Sequence, residues 1–176
     1  MENFSDYLLN EKDWVTKLTI MNSLSERKKV FFDKTVVLKV ELTKLFIEIM
    51  HIDVDENLVI TAGLLYRCKK NIEKNNQREY VEMQTQFLQE LGFEDRFCKI
   101  CEQVYTYSPE EQREKEADIL FLMEHFGELL LDKPERKGYE TEKAIEIMEK
   151  EILTSQPNLY KEEFCQFVKI MQEIYI

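Results

Sequence analysis

The stretch Ile119-Leu120-Phe121-Leu122-Met123-Glu124-His125-Phe126-Gly127-Glu128-Leu129-Leu130-Leu131 decides the fold class. Apolar positions 119, 122, 126, 129 and 130 return at steps of three and four, the period of a helix with one buried face. Upstream, Ser108-Pro109-Glu110-Glu111 offers an N-cap, a proline in the first turn and early carboxylates, so this long helix is predicted to begin there, with Pro134 beyond its end.

The same spacing continues outward in both directions. Trp14, Leu18 and Met21 mark a short first segment, and Ser23-Leu24-Ser25-Glu26 reads as a capping box. From that box a long helix is predicted through Phe31, Leu38, Leu42, Leu45 and Ile49 to about His51-Ile52, with an irregularity near Asp33. Asp53 with Glu56 signals the next start, for a helix carrying Leu58, Ala62 and Leu65 and running out in Lys69-Lys70-Asn71. Tyr80, Met83, Phe87, Leu88 and Leu91 follow, closed by Gly92, and a shorter helix passes through Phe97, Ile100, Cys101 and Val104. Two further helices carry Ala144, Ile145, Met148 and Ile152, then Phe164, Phe167, Val168 and Met171, separated by Thr154-Ser155-Gln156-Pro157. Only four Gly and three Pro interrupt 176 residues, so the expectation is an all-α helical bundle, one domain over 1–176, with the helix of 158–176 packed on it.

Composition narrows the function. Lys and Arg number 24 against 35 Asp and Glu, a net charge of −11, which argues against nucleic acid or an anionic membrane surface as partner. Met1-Glu2-Asn3-Phe4-Ser5-Asp6 lacks the basic and apolar regions of a signal peptide, and no run approaches the roughly 18 apolar residues of a membrane span. A cytoplasmic protein is therefore expected, with Cys68, Cys98, Cys101 and Cys165 as thiols. Cys98-Lys99-Ile100-Cys101 has no second pair or neighbouring histidine to complete a zinc site and reads as a buried helical pair.

Two segments carry a resemblance. One runs from His51-Ile52-Asp53 through Ile60-Thr61-Ala62-Gly63-Leu64-Leu65-Tyr66-Arg67; the other runs from Ile119 to Gly138 and on to Ala144-Ile145-Glu146-Ile147-Met148. In this order they are similar to the HD-domain metal-dependent phosphohydrolases, in the branch related to the HD-GYP cyclic-dinucleotide phosphodiesterases. The similarity covers roughly residues 30 to 153. It implies a helical fold in which a histidine on the first long helix, a His-Asp pair and a distant aspartate converge on a divalent metal.

This chain departs from that pattern where the chemistry lies. Lys34-Thr35-Val36 stands near the first position, Tyr66-Arg67 at the pair and Glu124 at the last, and His51 and His125 are its only imidazoles. Of these degenerate positions, Thr35, Tyr66, Arg67 and Glu124, only Glu124 offers a carboxylate, and arginine is a permanent cation without a lone pair. The expectation is a site with no metal, no cofactor and no catalytic residue, hence a regulatory or protein-interaction module whose partner is a protein.

Alternatives attach to particular residues. Arg67 and Glu124 are candidates for an ion pair across the former pocket, with solvated side chains as the other reading. Arg67, Lys69 and Lys70, with Lys74 nearby, form the one local basic excess and could hold an anionic, nucleotide-like ligand. Glu124, Asp118 and His125 are the residues an atypical metal site would recruit, although His125 points about 100° away from Glu124 on a helix. The loop Asp132-Lys133-Pro134-Glu135-Arg136-Lys137-Gly138 reads as a solvated turn or a partner-binding loop. Phe164, Phe167, Val168, Met171 and Tyr175 read as a stripe packed on the core or offered to a partner.

Overall fold

Helix α4 (Glu56–Leu65) starts where the Asp55 carboxylate accepts from the Leu58 backbone N–H at 3.2 Å. The start expected at Asp53 therefore falls two residues later. The computed structural model describes residues 3–24, 34–66, 77–106, 108 and 111–174. Val59, Ile60, Thr61, Ala62, Leu64 and Leu65 of α4 are all buried, because the helix is surrounded. It packs against α1 (Phe4–Asn10), α2 (Trp14–Leu24), α3 (Lys34–Ile49), α6 (Asp95–Gln103) and α7 (Lys115–Leu130). Helix α5 (Gln77–Glu90) leans on α6. After α7 come α8 (Thr141–Ile147), a π-helical turn (Met148–Ile152), α9 (Leu153–Ser155) and α10 (Lys161–Ile174), which packs on α3. The fold is all-α: the one β feature among the described residues is an isolated bridge, Lys133 to Arg136. Among the described residues no helix is long and apolar enough to cross a membrane.

The apolar stripes of α3, α4, α6, α7 and α10 meet in a single large cluster. Phe46 of α3 and Phe167 of α10 stack edge to face with centroids 5.3 Å apart, and Phe126 of α7 meets Phe164 of α10 in the same way at 5.3 Å. All four rings are buried, each contributing about 1.5–3 kcal/mol by leaving water. The Phe164–Phe167–Val168 stripe is thus core; Tyr175 lies outside the described residues. Cys98 and Cys101 are buried beside Phe97, as expected, and burial pushes the Cys98 thiol up to about 11. Gly92 closes α5 at φ 91, the left-handed region that costs glycine nothing, and its carbonyl accepts from the Ser5 hydroxyl at 2.8 Å.

Two helix starts differ from expectation. Ser23 does not open a helix but stands in the last turn of α2, its hydroxyl donating to the Ile20 carbonyl, while residues 25–33 lie outside the description. Helix α7 begins at Lys115 rather than near Ser108, because tertiary bonds hold residues 112–114 out of the helix. Gln103 accepts from the Glu114 N–H at 2.7 Å and donates to the Gln112 carbonyl at 3.2 Å, which supplies from α6 the cap that Glu114 itself does not provide. Arg113 fixes the same segment by donating to the Thr106 carbonyl at 3.0 Å and to Asp118 at 2.5 Å.

A buried carboxylate bridged by lysine and tyrosine

Glu124 faces inward from the middle of α7, only 6% exposed. Among the described residues, side chains from two other helices meet its Oε2. Tyr66, the C-cap residue of α4, donates its hydroxyl, and Lys39 of α3 places its ammonium 2.8 Å away. The tyrosine ring is buried and held against Tyr105, centroids 5.2 Å apart. Lys39 is shared: its Nζ also lies 2.8 Å from Glu128 Oε1, one helical turn along α7. Glu128 in turn meets Lys133, so the order Tyr66, Glu124, Lys39, Glu128, Lys133 leads from the core to the loop after α7.

Local sequence explains the arrangement. Glu124 and Glu128 are four apart on one face of α7, where like charges repel unless a cation sits between them. Lys39 is that cation. Its stem crosses α7 at Gly127, where an added Cβ would stand 2.8 Å from Lys39 Cγ. Thr43, one turn further along α3, returns its hydroxyl to the Lys39 carbonyl at 2.7 Å.

Of the four degenerate positions, Tyr66 and Glu124 come into direct contact. Thr35 stands half-buried in the first turn of α3, four residues before Lys39 and on the same face. Arg67, Lys69, Lys70 and Lys74 lie outside the described residues, and with them the Arg67–Glu124 pair and the proposed anion site. Sequence reasoning missed Lys39. The close i,i+4 pair of glutamates and a glycine in mid-helix were the signals that something cationic passes there.

Asp118 and Glu124 do not share a site. Six residues separate them, about 120° round the helix, and Asp118 is engaged elsewhere. Its Oδ1 meets Arg113 and its Oδ2 accepts from the Leu159 N–H at 2.9 Å. His125 turns Nδ1 toward the Phe121 carbonyl at 2.9 Å with its ring 4.1 Å from that of Phe121, a histidine satisfied within its own helix. Nor does the donor set fit a divalent cation: the carboxylate of Glu124 is already engaged by an ammonium and a phenol. Among the described residues no group of three or more His, Cys, Asp or Glu side chains is placed to hold a metal ion.

The charged loop is anchored rather than loose. Arg136 donates to the carbonyls of Glu128 at 2.8 Å and Leu129 at 3.3 Å, satisfying the end of α7, and lies 4.4 Å over the Tyr139 ring. Asp132 accepts from the Gly138 N–H at 2.7 Å across the turn.

A second buried cation was also missed. Lys17 of α2 is 1% exposed, and its Nζ donates to the Asn57 side-chain oxygen, the Asn57 carbonyl at 3.3 Å and the Thr61 hydroxyl. Asn57 donates onward to the Leu9 carbonyl, so α1, α2 and α4 are pinned at one point. Burial among neutral acceptors pushes the Lys17 ammonium down to about 8, with Glu11 and Asp55 opposing from a distance.

Compared with known protein families, with curated proteins and with solved structures, the chain matches none.

Proposed function

We propose that this chain is a non-catalytic, HD-like module, a pseudo-phosphohydrolase that works through contacts with a protein partner. One observation carries the reading: the carboxylate at the expected last ligand position is neutralised by Lys39 and hydrogen-bonded by Tyr66, itself at an expected ligand position. In the phosphohydrolases that the sequence resembles, a metal joins these helices and activates water or phosphate. Here an internal ammonium joins α3 to α7 and a phenol joins α4 to α7, which holds the helices together without a cation from solution. All three side chains are largely buried, so a substrate phosphate has no direct approach to Glu124. Fold resemblance alone implies hydrolysis, but activity belongs to the site.

The test is metal content and turnover together. Protein purified without chelators or a metal-binding tag is expected to carry no stoichiometric iron, manganese or zinc by elemental mass spectrometry. It is expected to keep its helical circular dichroism in a chelator and to leave a chromogenic phosphodiester intact. Near-stoichiometric metal, or phosphodiester hydrolysis that disappears in Glu124→Ala, would overturn the proposal. A metal-free, inactive protein directs the search to partner capture, with the anchored loop 132–138 as the first surface to vary.

A further inference from the structure

Between α3, α7, the start of α8 and α10 lies a cavity of about 250 Å³. Its floor is apolar and buried: Leu42, Phe126 and Val168. Leu130 and Met171 form half-buried walls. The rim carries Thr141, Glu142 and Gln172, none of which makes a side-chain hydrogen bond or ion pair among the described residues. Among the described residues Glu142 is the only charged one of the lining.

Size and polarity set the class of occupant. A dry apolar cavity of about 150 Å³ holds a benzene ring, so this volume takes a single ring or a short alkyl chain and is too small to seat a helix. Water gains little on such a floor, having no polar partner there, whereas an apolar body displaces it favourably. At the rim the hydroxyl and the amide can donate or accept, whereas the carboxylate accepts only, so it calls for a donor and selects a cation over an anion. The chain's net charge of −11 acts in the same direction by concentrating cations at its surface. We infer that this cavity binds a small primary amine with an apolar body, the hydrocarbon on Phe126 and Val168 and the ammonium at Glu142. The site is independent of the Glu124 bridge and of the reading built on it.

Hexylamine, 2-phenylethylamine, 1-hexanol and hexanoate, titrated into the full chain at neutral pH by calorimetry and by amide chemical shifts, test the inference. The amines are expected to bind one to one with a dissociation constant below about 1 mM, hexanol severalfold more weakly and hexanoate more weakly still. Glu142→Gln, an exposed change, is expected to reduce the amines to the affinity of hexanol. Met171→Phe, which fills the cavity from its wall, is expected to lower amine affinity at least about tenfold. Should that variant lose its circular dichroism, Leu130→Phe fills the same space from α7. Hexanoate binding as well as hexylamine, amine binding indifferent to both filling variants, or no saturable amine binding would each overturn the inference.

Discussion

Lys39 crosses α7 over Gly127, where an added methyl group would collide with the lysine stem, 2.8 Å from Cγ. Gly127→Ala therefore combines two opposed effects. Alanine favours the helix by about 1 kcal/mol, whereas crowding a packed stem near its root costs about 1–3 kcal/mol. The net expectation is destabilisation by about 1 kcal/mol in urea denaturation. In a Lys39→Ala/Glu124→Gln background the collision is absent, and the same change should stabilise by about 1 kcal/mol. Equal effects in both backgrounds would show that the stem and the glycine are not coupled.

Removing one side of the bridge should cost more than removing both. Lys39→Met takes the lysine away from the buried Glu124 carboxylate and should cost about 3–5 kcal/mol of stability. Pairing it with Glu124→Leu removes the buried carboxylate as well, and most of the loss is expected to return, less the hydrogen bond that Tyr66 gave to Glu124. Tyr66→Phe deletes one donor to Oε2 and should cost about 1–3 kcal/mol. Denaturant midpoints of the two single variants and the Lys39→Met/Glu124→Leu double variant check the ordering. A double variant no more stable than Lys39→Met would refute it.

Much of this architecture was legible because burial leaves a periodic trace. The spacing of Ile119, Leu122, Phe126 and Leu130 announced α7, and the α5 cap at Gly92 stood where its sequence put it. Glu124 and Tyr66 drew notice through the resemblance, and they do touch. What stayed hidden was long-range and polar. Lysine ordinarily keeps its charge in water, so nothing local marked Lys17 as buried or Lys39 as largely so. Their partners, Asn57 and Thr61 in one case and Glu124 and Glu128 in the other, lie more than thirty-nine positions away and are brought near only by folding. The start of α7 was misplaced for the same reason: Ser108-Pro109 is a good local signal, but Gln103 and Arg113 hold residues 112–114 out of the helix until Lys115.

Asp118 should matter for stability and not for chemistry. Its carboxylate takes Arg113 on one oxygen and the Leu159 N–H on the other, joining the entry to α7 with the turn before α10. Asp118→Asn keeps an acceptor for Leu159 but removes the Asp118 charge from the Arg113 guanidinium, whose side chain is 12% exposed. A loss of about 3 kcal/mol is expected, with amide exchange accelerating first at Leu159 and Tyr160. Combining it with Arg113→Gln should recover part of that loss, since the largely buried charge of Arg113 goes with its Asp118 partner. Unchanged exchange at Leu159 would show that the carboxylate does not hold this junction.

Lys17 makes the pH dependence specific. Its native value of about 8 lies below the ordinary 10.5 of an unfolded chain, so between those values the unfolded state binds more protons than the native one. Stability attributable to Lys17 therefore rises with pH from about 8 to 10.5. Below that window both states carry the charge and the contribution is flat, a burial cost of about 3 kcal/mol that deprotonation relieves. Other groups act oppositely. Burial holds the proton on Cys98 up to about 11 and also raises Cys165 and Tyr160, so the native state keeps protons that the unfolded chain loses, and stability falls with rising pH. The informative quantity is the difference between the wild type and Lys17→Met, which shares those groups. Urea unfolding at intervals across the window should show the wild type gaining on Lys17→Met by about 3 kcal/mol between its lower and upper ends, and parallel curves below it. A difference independent of pH would mean that the Asn57–Thr61 cage leaves the ammonium of Lys17 as basic as it is in water.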